Sequence, residues 1–178
     1  MRRLMALITA ATLALGVSGA ATANGDSNRN SFKANLGGYQ EVPAISTTGT
    51  GRLKVSVNPA ATQLSYTLTF SALQGGSVLA AHIHFAQSSV SGAVVAFLCG
   101  GGGKPACPPA AGGTVTGTIV AADIIAVPAQ GIAAGDLAAV LKAMRHGVTY
   151  ANVHTATFPG GEIRGQIRAH GKGDKDDD

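Results

Sequence analysis

The sequence predicts an all-β protein, an antiparallel β-sandwich with one helix inserted before the last hairpin. Three observations carry this reading. Apolar and polar residues alternate with a period of two in many short runs, from Phe32 to Ile167. Gly, Pro and Asn cluster between those runs, as turns require. The period changes to that of a helix once, between Asp136 and Met144.

The elements follow in order. Phe32 to Leu36 forms a first strand that Gly37-Gly38 ends, and a loop runs from Glu41 to about Gly49. Arg52 to Val57 sends Leu53, Val55 and Val57 to one side. After the Asn58-Pro59-Ala60 turn, Leu64, Tyr66, Leu68 and Phe70 alternate with Ser65, Thr67 and Thr69, which makes a hairpin of half-buried strands. In Ser77 to Phe85, Leu79, Ala81, Ile83 and Phe85 share one face, and Ala80, His82 and His84 the other. Gly92 to Leu98 is an apolar strand leading into Cys99. Thr114 to Val120 is a threonine-rich strand with Val115 and Ile119 inward. A helical turn is expected at Ala122-Asp123-Ile124-Ile125. Leu137, Val140, Leu141 and Met144 then recur at helical spacing. Gly135 or Asp136 is placed to start this helix and Gly147 to end it in a left-handed cap.

The last hairpin, Tyr150 to Arg168, turns at Phe158-Pro159-Gly160-Gly161. Ala151, Val153, Ile163 and Ile167 line an apolar face; Tyr150, Asn152, His154, Glu162, Arg164 and Gln166 line a polar one. Sharing the apolar face requires Val153 opposite Ile163, and therefore places His154 opposite Glu162.

Both ends of the chain differ from its middle. Met1-Arg2-Arg3, the apolar run Leu4 to Val17 and Ala21-Thr22-Ala23 form the three regions of a secretory signal peptide, residues 1–23, with cleavage expected before Asn24. The apolar run is too short for a comfortable membrane span, and no later segment is long enough for one. A secreted or periplasmic protein is expected. Residues 24–31 are polar and read as a loose N-terminus, and residues 169–178 read as a disordered acidic tail. Loss of Arg2 and Arg3 lowers the net charge from +4 to +2. With basic residues scattered and no Trp, no nucleic-acid partner is expected. In an oxidising compartment, Cys99 and Cys107 around a Gly/Pro loop read as one disulfide; a zinc pair lacks an adjacent histidine.

The chemistry-bearing residues are His82, His84 and His154. Histidines at i and i+2 project side by side from a strand, and His154 lies on a polar strand face able to join them. Three imidazoles can hold one copper or zinc ion, with Glu162 as a candidate fourth or outer ligand. The competing reading is a structural polar cluster of imidazoles held by Asn152, Glu162 and Arg164, in which Glu162 and Arg164 pair with each other or a neighbour. No nucleophile elbow, paired catalytic carboxylates or H-E-x-x-H is present, so an enzyme is not expected.

The motifs AHIH (Ala81 to His84), YANVHT and PGGEIRGQI, with the Gly92-Ala93-Val94-Val95 strand, resemble the CHRD domain, named for repeats in chordin and found in secreted bacterial proteins. The likeness spans Phe32 to Arg168. It implies an immunoglobulin-like sandwich related to copper/zinc superoxide dismutase, and by analogy with chordin an extracellular interaction module. His82 and His84 resemble the copper-binding H-x-H strand of the dismutases. Of the remaining histidines, His146 falls at the end of the helix and His170 in the tail, so a two-metal dismutase site is not expected.

Overall fold

The computed structural model describes residues 30–170. The signal peptide, the first residues of the expected loose N-terminus and the acidic tail from Gly171 fall outside them. Nine strands form: β1 (Ser31–Gly37), β2 (Thr50–Val57), β3 (Gln63–Ser71), β4 (Val78–Phe85), β5 (Ala93–Cys99), β6 (Gly112–Val120), β7 (Thr149–Thr155), β8 (Ile163–Gln166) and β9 (Arg168–Ala169). One α-helix, α1 (Leu137–Arg145), precedes β7. The all-β antiparallel reading with one helix before the last hairpin therefore holds among the described residues.

The strands run in the order β5-β4-β7-β8-β1-β2-β3-β6, with β9 paired to β1. Every pairing is antiparallel. Between β8 and β1 the ladder narrows to a single pair, Gly37 with Arg164. One continuous sheet thus consists of two four-stranded halves, β5-β4-β7-β8 and β1-β2-β3-β6, curled nearly into a barrel. A Cβ at Gly165 would collide with the backbone of Asn35, so the seam needs a glycine there. The far ends of the sheet also meet: the Tyr66 hydroxyl on β3 donates to the Leu98 carbonyl on β5 across 2.6 Å.

Alternation places the core. Phe32, Leu53, Leu64, Leu68 and Phe70 from one half face Ala81, Ile83, Val95, Leu98, Val153 and Ile163 from the other, and all belong to a single buried cluster. Helix α1 adds Leu137, Val140, Leu141 and Met144 to that cluster. Its ends follow the sequence reading. The Asp136 carboxylate accepts from the Ala139 N–H (2.8 Å), and Gly147 sits at φ 66° just past the C-cap His146. The helical turn expected after β6 is a 3-10 turn at Ala121–Asp123.

Two local features depart from simple strand alternation and its expected end. Leu79 was assigned to the inward face but is 50% exposed. Val78 pairs with Thr155 and Ala80 with His154, so Leu79 is an extra residue bulged out of the β4–β7 ladder. At the C-terminal end the sheet runs beyond the boundary expected at Arg168: Ala169 pairs with Phe32, and the His170 N–H donates to Ser31 O (2.8 Å).

Cys99 and Cys107 form a disulfide with Cα atoms 5.0 Å apart, fastening the Gly100–Ala106 loop to the end of β5. Closing a loop of this length restricts the unfolded chain by about 2–3 kcal/mol on the chain-entropy model. The double variant Cys99→Ser/Cys107→Ser is expected to lose that much stability in urea unfolding. An unchanged urea midpoint would show that the bridge does not constrain the unfolded state.

Candidate metal centre

The outer face of the β5-β4-β7-β8 half is where the polar side chains gather. Register sets the rows: His84 pairs with Tyr150 and Tyr150 with Gln166; His82 pairs with Asn152 and Asn152 with Arg164; Ala80 pairs with His154. Such a face is ordinarily wet. Here His84 is 7% exposed, Asn152 2% and Arg164 2%. Two loops help cover it, one after β1 and one between β4 and β5. They leave between them a pocket of about 360 Å³ with Arg164 and Gln166 in its lining.

His82, His84 and His154 converge, each offering a ring nitrogen within 4.8 Å of the others. Ring centroids lie 4.8 Å apart for His82 and His154, 5.5 Å for His82 and His84, and 5.9 Å for His84 and His154. Nitrogens sharing one ion at about 2.0–2.1 Å sit roughly 3.3–3.6 Å from one another. Small side-chain rotations therefore suffice to close the set.

Two of the rings are oriented by backbone carbonyls. His84 Nδ1 lies 2.9 Å from Gly92 O, and His154 Nδ1 lies 2.9 Å from Pro159 O. A carbonyl only accepts, so each Nδ1 carries the proton and each Nε2 presents its lone pair. His82 Nδ1 and His154 Nε2 are buried without a hydrogen-bond partner, and His84 Nε2 lacks one of good geometry although the Asn152 side chain acts on that ring. Around them, Phe97 meets His82 edge-on at 4.4 Å, and Tyr150 stacks on His84 at 4.7 Å. The Arg164 guanidinium lies 3.4 Å from the Tyr150 ring centroid, behind His84.

Burial holds the imidazoles neutral. Burial, then the neighbouring His154 and His84, brings His82 from 6.5 down to about 3. Burial brings His84 to about 4 against the opposing Gly92 carbonyl. Burial lowers His154 as well, against the opposing Pro159 carbonyl. At neutral pH the cluster offers lone pairs rather than charges.

Glu162 is not part of this cluster, contrary to the expectation that it stands opposite His154. Val153 does pair with Ile163, but the Glu162 N–H also donates to Val153 O (2.8 Å), so alternation does not continue through the turn. Gly161, at φ 129°, makes that reversal. The Glu162 carboxylate instead accepts from Thr47 Oγ1 (2.7 Å), Gln74 N (2.6 Å), Gly75 N (2.9 Å) and Thr155 Oγ1 (2.9 Å), and has no solvent exposure. Burial pushes its pKa up, but these bonds together hold it below the ordinary value. Its expected pairing with Arg164 does not form either. Arg164 Nη2 donates to Gln87 O (3.3 Å) and Val90 O (2.9 Å).

The carboxyl that does approach the polar face is Glu41, which the sequence reading left in a loop. A Cβ at Gly161 would strike both Glu41 Oε1 and Asn152 Nδ2, so the two side chains meet above that glycine. Burial raises Glu41 from 4.5 to about 7 despite the Arg164 charge nearby. No spacing in the sequence marks it, because a loop rather than a strand delivers it.

Fold and site together define a disulfide-bonded antiparallel β-domain with a three-histidine cluster on one sheet face. Comparison with known families matches residues 32–167 to the CHRD domain. The chain belongs to that family, whose members are generally extracellular. No curated protein and no solved structure matches the chain at a significant level.

Two outcomes are expected. Glu162→Gln loses the charge on a buried acceptor of four hydrogen bonds and turns an amide donor toward other donors. It should destabilise the fold by about 3 kcal/mol in urea unfolding; a loss well under 1 kcal/mol would contradict the role of the carboxylate. The second concerns acid. The three histidines have folded pKa values below their unfolded 6.5, so their contribution is complete above pH 6.5 and fades as pH falls toward 4. Glu41 acts in the opposite sense, since its folded value of about 7 exceeds its unfolded 4.5. Three groups outweigh one, so the metal-free protein should lose stability between pH 6.5 and 4. A urea midpoint that rises over that interval would contradict the buried, neutral cluster.

Proposed function

We propose that this CHRD domain is an exported, non-catalytic protein that holds one transition-metal ion, copper or zinc, through His82, His84 and His154. The observation that carries this reading is the convergence of three histidines, each of which also has a buried ring nitrogen without a hydrogen-bond partner. An unsatisfied buried polar atom costs about 1–3 kcal/mol, and three in one cluster call for a ligand. Imidazole is a favoured donor for copper and zinc, and the carbonyls on His84 Nδ1 and His154 Nδ1 are the usual orienting partners of metal-bound histidine. The disulfide supports an oxidising compartment. The H-x-H spacing and the third histidine from β7 supply donors; a nucleophile with its base is not assembled around them.

A second reading has its own support. The same Nδ1 bonds tie His84 to the β4–β5 loop and His154 to the hairpin turn. On that reading the histidines are a structural hydrogen-bond network, and the domain is an extracellular or periplasmic interaction module without metal. The two readings separate in one experiment on protein exported without a histidine tag. Metal analysis and titration of the apo-protein should show one copper or zinc per chain. At a hundredfold excess of free metal over Kd, stability should rise by about 2.7 kcal/mol. His82→Ala, His84→Ala and His154→Ala should each weaken binding at least tenfold. A wild-type protein that stays metal-free throughout the titration would leave the structural network standing instead.

A further inference from the structure

Building on the reading of the cluster as a metal site, we propose that it selects monovalent copper, Cu(I), over divalent zinc. The argument is one of charge. The donor set is three neutral imidazoles, and no carboxylate or thiolate among the described residues joins it. Glu162 is engaged by four hydrogen bonds elsewhere, and both cysteines are joined in the disulfide. The full charge of a bound ion would therefore remain on the site.

Three features oppose a high charge there. Desolvation scales with the square of the charge, so a dication is penalised about fourfold more than a monocation in the same surroundings. Phe97 at 4.4 Å from His82 and Tyr150 at 4.7 Å from His84 flank the cluster with aromatic rings, which solvate a charge less well than water does. Behind Tyr150 stands the buried Arg164 guanidinium, a fixed positive charge one ring away from His84. Its Nη2 bonds go to the carbonyls of Gln87 and Val90, and the Glu41 carboxyl, whose own charge is opposed by burial, lies near it. Zn(II) at three neutral imidazoles would take water or hydroxide as its fourth ligand, and the three imidazoles leave its second charge uncompensated. Cu(I) carries a single charge, so three neutral imidazoles would leave half as much charge on the site as with a divalent ion.

Asn152 provides the means to test the cause as well as the preference. It stands between His82 and Arg164 in one cross-strand row, on the same face as the cluster. Asn152→Asp would place a carboxylate beside the site with little change in volume. Affinities should be measured on the full chain without oxygen, by competition of Cu(I) against bicinchoninate and of Zn(II) against a chromophoric chelator. The wild type should bind Cu(I) at least a hundredfold more tightly than Zn(II), and Asn152→Asp should reduce that ratio at least tenfold. Zn(II) bound as tightly as Cu(I) would overturn the selectivity while leaving the metal site intact. An unchanged ratio in Asn152→Asp would overturn the charge argument. Binding of neither ion by the wild type would remove the metal site itself and this inference with it.

Discussion

The carboxylate of Glu162 is the point on which three loops depend. A fully buried charge is tolerated only when its lone pairs are met, and here two threonine hydroxyls and two backbone N–H groups meet them. Those four donors come from the loop after β1, the loop after β3 and the end of β7. Each segment alone would have an ordinary surface loop's freedom; sharing one anion, they cannot move independently. The packing is tight enough to dictate residue type. A Cβ at Gly75 would overlap Thr155 Oγ1 and come within 2.7 Å of Glu162 Oε2.

Two consequences reach the histidines. Glu162 anchors the exit of the turn whose Pro159 carbonyl orients His154. It also holds Thr47, and so fixes the far end of the loop that brings Glu41 over Asn152. The other side of the cluster is fixed by a parallel device. Arg164 and Gln166 reach the carbonyls of Ala86, Gln87 and Val90, while the Tyr150 hydroxyl accepts from Gly92 N. The β4–β5 loop is thereby held where Gly92 O meets His84 Nδ1. Residues that sequence reading grouped as one polar face thus divide by task. Arg164, Gln166 and Tyr150 hold the loop, and the histidines are held by it.

How far this was legible in the sequence follows from what alternation encodes. Period two fixes which residues share a face, so the core, the Val153–Ile163 register and the common side of His82 and His84 follow from strand patterning. The arrival of His154 beside them depends on the β4–β7 pairing, which alternation does not encode. The period is silent wherever the ladder gains a residue. Leu79 at its bulge and Glu162 beyond Gly161 were both assigned by continuing an alternation that the backbone does not continue. Backbone groups leave no mark in the sequence either, so the carbonyls that set the histidine tautomers were invisible there. Glu41 was missed because loop closure, which depends on distant anchors such as Glu162, decides where its side chain lies.

Covering the outer face of a half-sheet changes what each polar group on it requires. Exposed, His82, His84, Asn152 and Arg164 would be satisfied by water whatever their arrangement. Beneath two loops, every donor and acceptor must find a protein partner or be left without one at a cost of about 1–3 kcal/mol. The groups that hold the loops down have partners: Arg164 with two carbonyls, Gln166 Nε2 with Ala86 O and Gly147 O, and Tyr150 with Gly92 N. Buried atoms without a partner remain at Glu41 Oε1, Asn152 Oδ1 and Gln166 Oε1, and three more are ring nitrogens of the histidines that converge. A purely structural cover would gain from apolar residues at His82 and His154, which would remove the unmet lone pairs and keep the sheet face closed. The chain instead carries histidines, orients two of them through Nδ1 and leaves their Nε2 atoms inward. That arrangement costs stability in the fold as it stands, a cost that the proposed metal ion would relieve.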